Sequence, residues 1–144
     1  MSTILLDTSI ASLLHPKKKN STIRALYEPH LTGQILALSF QSVAELWAWA
    51  VDNNWGEKQR VGLEAFLHRF LVIPYDFALA KVWAAVSTQS KRRGRRLEAG
   101  DAWIIATAAH RKIPLITHDR DFTDLEIPDV TIISYADRKS RKSD

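Results

Sequence analysis

Thr3-Ile4-Leu5-Leu6-Asp7 decides how this chain folds. An apolar run without polar alternation predicts a strand buried on both faces, and such strands belong to parallel sheets covered by helices. Working outward, the pattern recurs. Ile35-Leu36-Ala37-Leu38, Leu71-Val72-Ile73, Pro114-Leu115-Ile116-Thr117 and Val130-Thr131-Ile132-Ile133 predict four more short strands. Helices are predicted between them. The first covers residues 8–14 and is stopped by Pro16 and the lysine run; the second covers 21–27, ended before Pro29. A third starts at Ser39 as N-cap and runs to about residue 53, and a fourth covers 58–70. A fifth covers 77–92 behind a possible Asp76 cap, and a sixth covers 100–111. In the last, Trp103-Ile104-Ile105-Ala106-Thr107-Ala108-Ala109 is apolar on nearly every side, which predicts a central, buried helix. Short apolar strands separated by helices predict an α/β fold, with a mainly parallel central sheet flanked by helices on both faces.

At 144 residues the chain is expected to form one domain with a sizeable core. Residues 1–135 read as that domain and residues 136–144 as a basic C-terminal tail. The absence of cysteine excludes disulfides and thiolate metal sites. No apolar run approaches the ~20 residues of a membrane span, and the N-terminus lacks a signal-peptide pattern. The expectation is a soluble, cytoplasmic protein with no membrane partner. Charge is unevenly spread. Lys17–Lys19, the segment Lys91-Arg92-Arg93-Gly94-Arg95-Arg96 and the tail contribute three, five and four cations, which is 12 of the 20 basic residues. The remaining 8 face 16 acids, so basic patches decorate an acidic body. That distribution suits a polyanionic partner, with Lys91, Arg92, Arg93, Arg95 and Arg96 as candidate phosphate contacts.

Four acidic stretches sit where a core should begin. They are Leu5-Leu6-Asp7-Thr8-Ser9, Val43-Ala44-Glu45-Leu46, Ala99-Gly100-Asp101-Ala102-Trp103 and Thr117-His118-Asp119-Arg120-Asp121-Phe122. A carboxylate at the edge of a core must be hydrogen-bonded, paired or bound to metal. Each has a plain structural explanation as well. Asp7 suits an N-cap, Asp101 the first turn of a helix, and Asp119 and Asp121 a turn. Glu45 could pair with Arg24 or another cation. Yet Asp7 and Asp119 directly follow strands, and ligands of parallel sheets bind beyond the strands' carboxyl ends. Convergence there would make a site for a hard divalent cation.

The ordered set of motifs resembles the PIN-domain nucleases, particularly the toxins of VapC type in prokaryotic toxin–antitoxin pairs. The likeness spans about residues 1–135. It implies a PIN-like fold and a metal-dependent endoribonuclease using Mg²⁺ or Mn²⁺. Asp7, Glu45, Asp101 and Asp119 match the family's acidic positions, and Thr8 or Ser9 would bring a hydroxyl near the metal. Many relatives carry asparagine at the position of Asp119, so Asp121 stands as a further candidate ligand. Water rather than a side chain would attack the phosphodiester. His118 reads as structural rather than as a general base. The resemblance further implies an RNA substrate, a homodimer and a small antitoxin, for which Trp47, Trp49 and Trp55 are candidate contacts or simply core. A housekeeping RNA-processing nuclease and a non-catalytic RNA- or protein-binding module are the alternatives. Haloacid-dehalogenase-type phosphatases also place an aspartate after a strand, but they require a second aspartate where Ser9 stands.

Overall fold

β1 (Thr3–Leu6) occupies the middle of a five-stranded sheet ordered β3-β2-β1-β4-β5, in which every pairing is parallel. The structure, a computed structural model, describes residues 1–16 and 21–137. The lysine run at 17–19 and the tail beyond residue 137 lie outside the described residues. The chain runs from β1 through α1 (Thr8–Leu13) and α2 (Thr22–Leu31) to β2 (Ile35–Ser39). It continues through α3 (Phe40–Asp52) and α4 (Glu57–Leu67) to β3 (Leu71–Ile73). α5 (Phe77–Arg92) and α6 (Ala99–Arg111) then return it to β4 (Leu115–Ile116), a 3₁₀ turn (Arg120–Phe122) and β5 (Ile132–Ile133).

Alternate residues of a strand face opposite sides of the sheet, and β1 follows this rule. Ile4 and Leu6 join Leu38, Ile116 and the inner residues of α1 to α4 on one face. Leu5 joins Ala37, Ile73, Leu115 and the inner residues of α5 and α6 on the other. Helices therefore cover both faces, as the unbroken apolar strands predicted. α6 is the buried helix: Ala102, Ile104, Ile105, Ala106, Thr107 and Ala108 are all enclosed.

Four elements depart most from the sequence expectation. α2 continues through Pro29 to Leu31 instead of ending at Tyr27. A proline inside a helix forfeits one backbone bond, but Tyr27 and Leu31 are both buried, and Thr32 secures the end through its N–H and Oγ1 to the Glu28 carbonyl at 3.1 and 3.0 Å. α4 stops at Leu67, and residues 68–70 form a turn whose bonds include Phe70 N–H to the Leu67 carbonyl at 3.2 Å. β4 and β5 are two residues each, shorter than their apolar runs.

The chain lays β2 and β3 on one side of β1, then β4 and β5 on the other. The reversal places the switch point of the sheet at the carboxyl ends of β1 and β4, where parallel sheets of this kind take their ligands.

Candidate active site

Asp7 is the first residue beyond β1 and only 4% exposed. It occupies the N-cap position of α1, yet its side chain makes no capping bond. The carboxylate turns instead to hydroxyls: Oδ2 accepts from Ser9 Oγ at 2.7 Å and from Thr117 Oγ1 at 2.8 Å. Burial pushes the Asp7 carboxyl above its ordinary value, the two hydroxyls oppose the rise, and the Asp119 charge adds to it.

Glu45 lies on α3, which starts cleanly because buried Ser39 caps it through the Ser42 N–H at 3.2 Å. Arg24 is not its partner. The Arg24 guanidinium sits 3.3 Å from Glu28 on its own helix. Glu45 is held by neutral donors, Thr8 Oγ1 on Oε1 and Gln41 Nε2 on Oε2 at 3.1 Å. Gln41 was not singled out from sequence, although its place four residues before Glu45 puts both on one helix face. Gly100 makes the close approach of α3 and α6 possible. A Cβ there would stand 2.8 Å from Gln41 Nε2 and 3.0 Å from Glu45 Oε2.

Asp101 lies in the first turn of α6. Desolvation first, then the charges of Asp119, Asp7, Glu45 and Asp121, push its carboxyl up to about 7. Asp119 caps the 3₁₀ turn by accepting the Asp121 N–H at 2.9 Å, so its structural role coexists with membership of the cluster. Carboxylate oxygens of Asp101, Asp119 and Asp121 lie within 4.8 Å of one another. Asp101, Asp119 and Asp121 thus form one close cluster, and the charges of Asp7 and Glu45 also reach Asp101.

A divalent cation fits this donor set. Every ligand is a hard oxygen, as Mg²⁺ and Mn²⁺ prefer. The repulsion that raises Asp101 is the kind a bound cation reverses.

The basic segment turns out to be partly helical. Lys91 and Arg92 form the last turn of α5, where cations complement the helix dipole. Gly94, at φ +82°, then bends the chain, with Arg95 N–H on the Ser90 carbonyl at 2.8 Å and Gly94 N–H on the Lys91 carbonyl at 3.0 Å. The bend sends Arg95 to the Asp121 carbonyl at 2.6 Å and Arg93 to the Glu126 carbonyl at 3.2 Å. Arg95 therefore stands at the edge of the acid cluster. Arg96 is exposed.

His118 points away from the acids. Its Nδ1 meets the Tyr27 hydroxyl at 2.5 Å, and its backbone N–H donates to Ser9 Oγ at 3.0 Å. Trp47 packs against the core. Trp49 is half exposed, lies 6.0 Å from the Trp55 ring, and with it borders a cavity of about 100 Å³ between α1, α3 and α4.

The PIN domain family model matches residues 4–128. This chain belongs to the PIN-domain family. The PIN domain here is 41% identical over 122 residues to ribonuclease VapC5 of Mycobacterium tuberculosis, covering 85% of this chain and 87% of that protein. Among solved structures it resembles the toxin–antitoxin family member VapBC-5 of M. tuberculosis, at 28% identity and a TM-score of 0.67 over 92% of this chain and 98% of that one. Its fold also matches VapBC2 of Rickettsia felis, solved with a promoter DNA fragment, at 20% identity and a TM-score of 0.75 over 92% and 98% of the two chains. The likeness is thus to the VapC type of PIN domain, and the all-parallel sheet is that of the family.

Proposed function

We propose that this protein is a Mg²⁺-dependent endoribonuclease that hydrolyses RNA phosphodiester bonds and acts as the toxin of a toxin–antitoxin pair, restraining translation or growth. The observation that carries the reading is the cluster of Asp101, Asp119 and Asp121 at the carboxyl edge of the sheet, with Asp101 pushed to about 7 by burial and by the charges of Asp119, Asp7, Glu45 and Asp121. Asp7, Glu45, Asp101 and Asp119 would hold the cation, with Asp121 as a further candidate. A bound Mg²⁺ supplies Lewis acidity toward the phosphate and an attacking water. The chain's own residues prepare for it. Ser9 and Thr117 orient Asp7, and Thr8 and Gln41 orient Glu45 from both oxygens. Arg95 at the edge of the cluster, with Lys91, Arg92, Arg93 and Arg96, binds RNA backbone and leaves sequence choice to other contacts.

The names of the relatives support this reading, since one is a ribonuclease and another is a member of the VapBC family of toxin–antitoxin systems. A small antitoxin is the proposed partner, with the Trp49 and Trp55 face as its contact. A homodimer in the cytoplasm completes the proposal, with residues 1–135 as the nuclease domain. Among the described residues no helix is long and apolar enough to cross a membrane.

The test is cleavage of RNA by purified, antitoxin-free protein. Cleavage in Mg²⁺ that stops in EDTA and with Asp7→Asn is expected, together with toxicity on expression that a small co-expressed partner relieves. Binding of RNA without cleavage in Mg²⁺ or Mn²⁺ would leave a non-catalytic module. Cleavage without toxicity would favour an RNA-processing role.

A further inference from the structure

The segment carrying Asp119 has little regular structure of its own. β4 ends at Ile116 and the 3₁₀ turn begins at Arg120, so residues 117–119 cross from one to the other. Their hold comes partly from α2, a helix that contributes no acid to the cluster. Tyr27 is 1% exposed. Its hydroxyl lies 3.2 Å from the Thr117 carbonyl oxygen and 2.5 Å from His118 Nδ1, and it accepts the Tyr135 N–H at 2.9 Å. Its ring meets His118 edge-on at 5.5 Å and Tyr135 at 5.2 Å.

On their other side, the same two residues face the acids. Thr117 Oγ1 donates to Asp7 and accepts the Asp119 N–H at 3.1 Å. The His118 N–H donates to Ser9 Oγ, whose own proton goes to Asp7. The phenol is therefore joined to Asp7 and Asp119 through one intervening residue on one route and two on the other. Packing alone would be served by phenylalanine. Every partner of this hydroxyl lies on the segments that follow β4 and β5, at the edge of the sheet where the acids gather.

We infer that Tyr27 is a positioning residue of the cation site: its hydroxyl clamps residues 117–118 against the segment after β5 and so sets where the Asp7 and Asp119 carboxylates stand. The inference rests on the metal-dependent reading proposed above. Groups that orient metal ligands from behind typically change metal affinity 10–100-fold when removed.

Tyr27→Phe deletes only the oxygen. Mn²⁺ is titrated calorimetrically into the wild-type protein and the variants, amide exchange is followed on the metal-free proteins, and cleavage is measured in Mg²⁺. Tyr27→Phe is expected to weaken Mn²⁺ binding about tenfold or more, to speed exchange of the Asp119 amide, and to lower kcat with KM for RNA unchanged. His118→Asn retains an amide atom where Nδ1 stood and should keep most of the Mn²⁺ affinity that His118→Ala loses. This pair tests the clamp even where Tyr27→Phe fails to fold.

Wild-type Mn²⁺ affinity and Asp119 exchange in Tyr27→Phe overturn the inference while leaving the nuclease reading intact. So does an equal loss of Mn²⁺ affinity in Leu63→Ala, a core change in α4, at matched thermal destabilisation. A wild-type protein that binds no Mn²⁺ overturns the metal reading first and the inference with it.

Discussion

Replacing Asp101 by asparagine should make the metal-free protein more stable while destroying its cation site. The cause is burial of the carboxyl, reinforced by the charges of neighbouring acids. In the fold, Asp101 is lifted from the ordinary carboxylate value of 3.8 to about 7 by desolvation and by Asp119, Asp7, Glu45 and Asp121. Between those two values the folded chain binds more protons than the unfolded one, so stability falls as pH rises and the full cost is present above about pH 7. At about 1.4 kcal/mol per pH unit the rise is worth roughly 4 kcal/mol. Because Asp101 is half-buried, solvent screening reduces this to about 2 kcal/mol. In a domain of this size that corresponds to about 6 °C in Tm. The assay is thermal unfolding of wild type and Asp101→Asn in EDTA across this range, reading the difference so that other titrations cancel. Asparagine should raise Tm fully at about pH 8, by less than half as much at about pH 5, and have little effect only below about pH 4, where the aspartic acid is neutral in both states. Mg²⁺ should then raise the Tm of wild type alone. A Tm difference that is independent of pH, or an asparagine variant that melts lower at high pH, would refute the electrostatic account.

Gly100→Ala should separate stability from metal binding. Alanine favours the helix by up to about 1 kcal/mol, while its Cβ displaces Gln41 and Glu45, so Tm should hold or rise as calorimetric Mn²⁺ affinity falls. Gln41→Ala frees one oxygen of Glu45 and should weaken Mn²⁺ binding about tenfold without loss of helicity by circular dichroism. Arg95→Ala should weaken RNA binding and lessen its salt dependence by about one counterion, measured by fluorescence anisotropy across a salt series. Ser39→Ala removes the buried cap of α3 and should cost about 1 kcal/mol in denaturant unfolding.

The strands were legible because parallel strands buried on both faces need no polar alternation, and Ile4, Leu5 and Leu6 announce one directly. Strand ends were less so. The apolar runs at 114–117 and 130–133 exceed β4 and β5, because pairing with neighbours, not hydropathy, sets strand length. Pro29 misled the reading of α2, since burial of Leu31 on the next turn outweighs one lost bond. The acids were found because a carboxylate beside a core is conspicuous. Their supports were not. Gln41 carries a helical-spacing signal that was open to use. Tyr27 carries none, since its hydroxyl meets residues some 90 to 108 positions away, and no local pattern encodes such a contact.

The central place of β1 has a consequence for the birth of the molecule. Leu5 pairs with Leu115 and Leu6 with Ile116, so Asp7 and Asp119 become neighbours only through a junction spanning most of the chain. Contacts of such separation form late and need the intervening helices in place. A nascent polypeptide still on the ribosome, or a fragment from a broken message, carries Asp7 and Glu45 but not the cluster. The acid cluster is therefore a property of the nearly complete fold and of no shorter stretch of the chain.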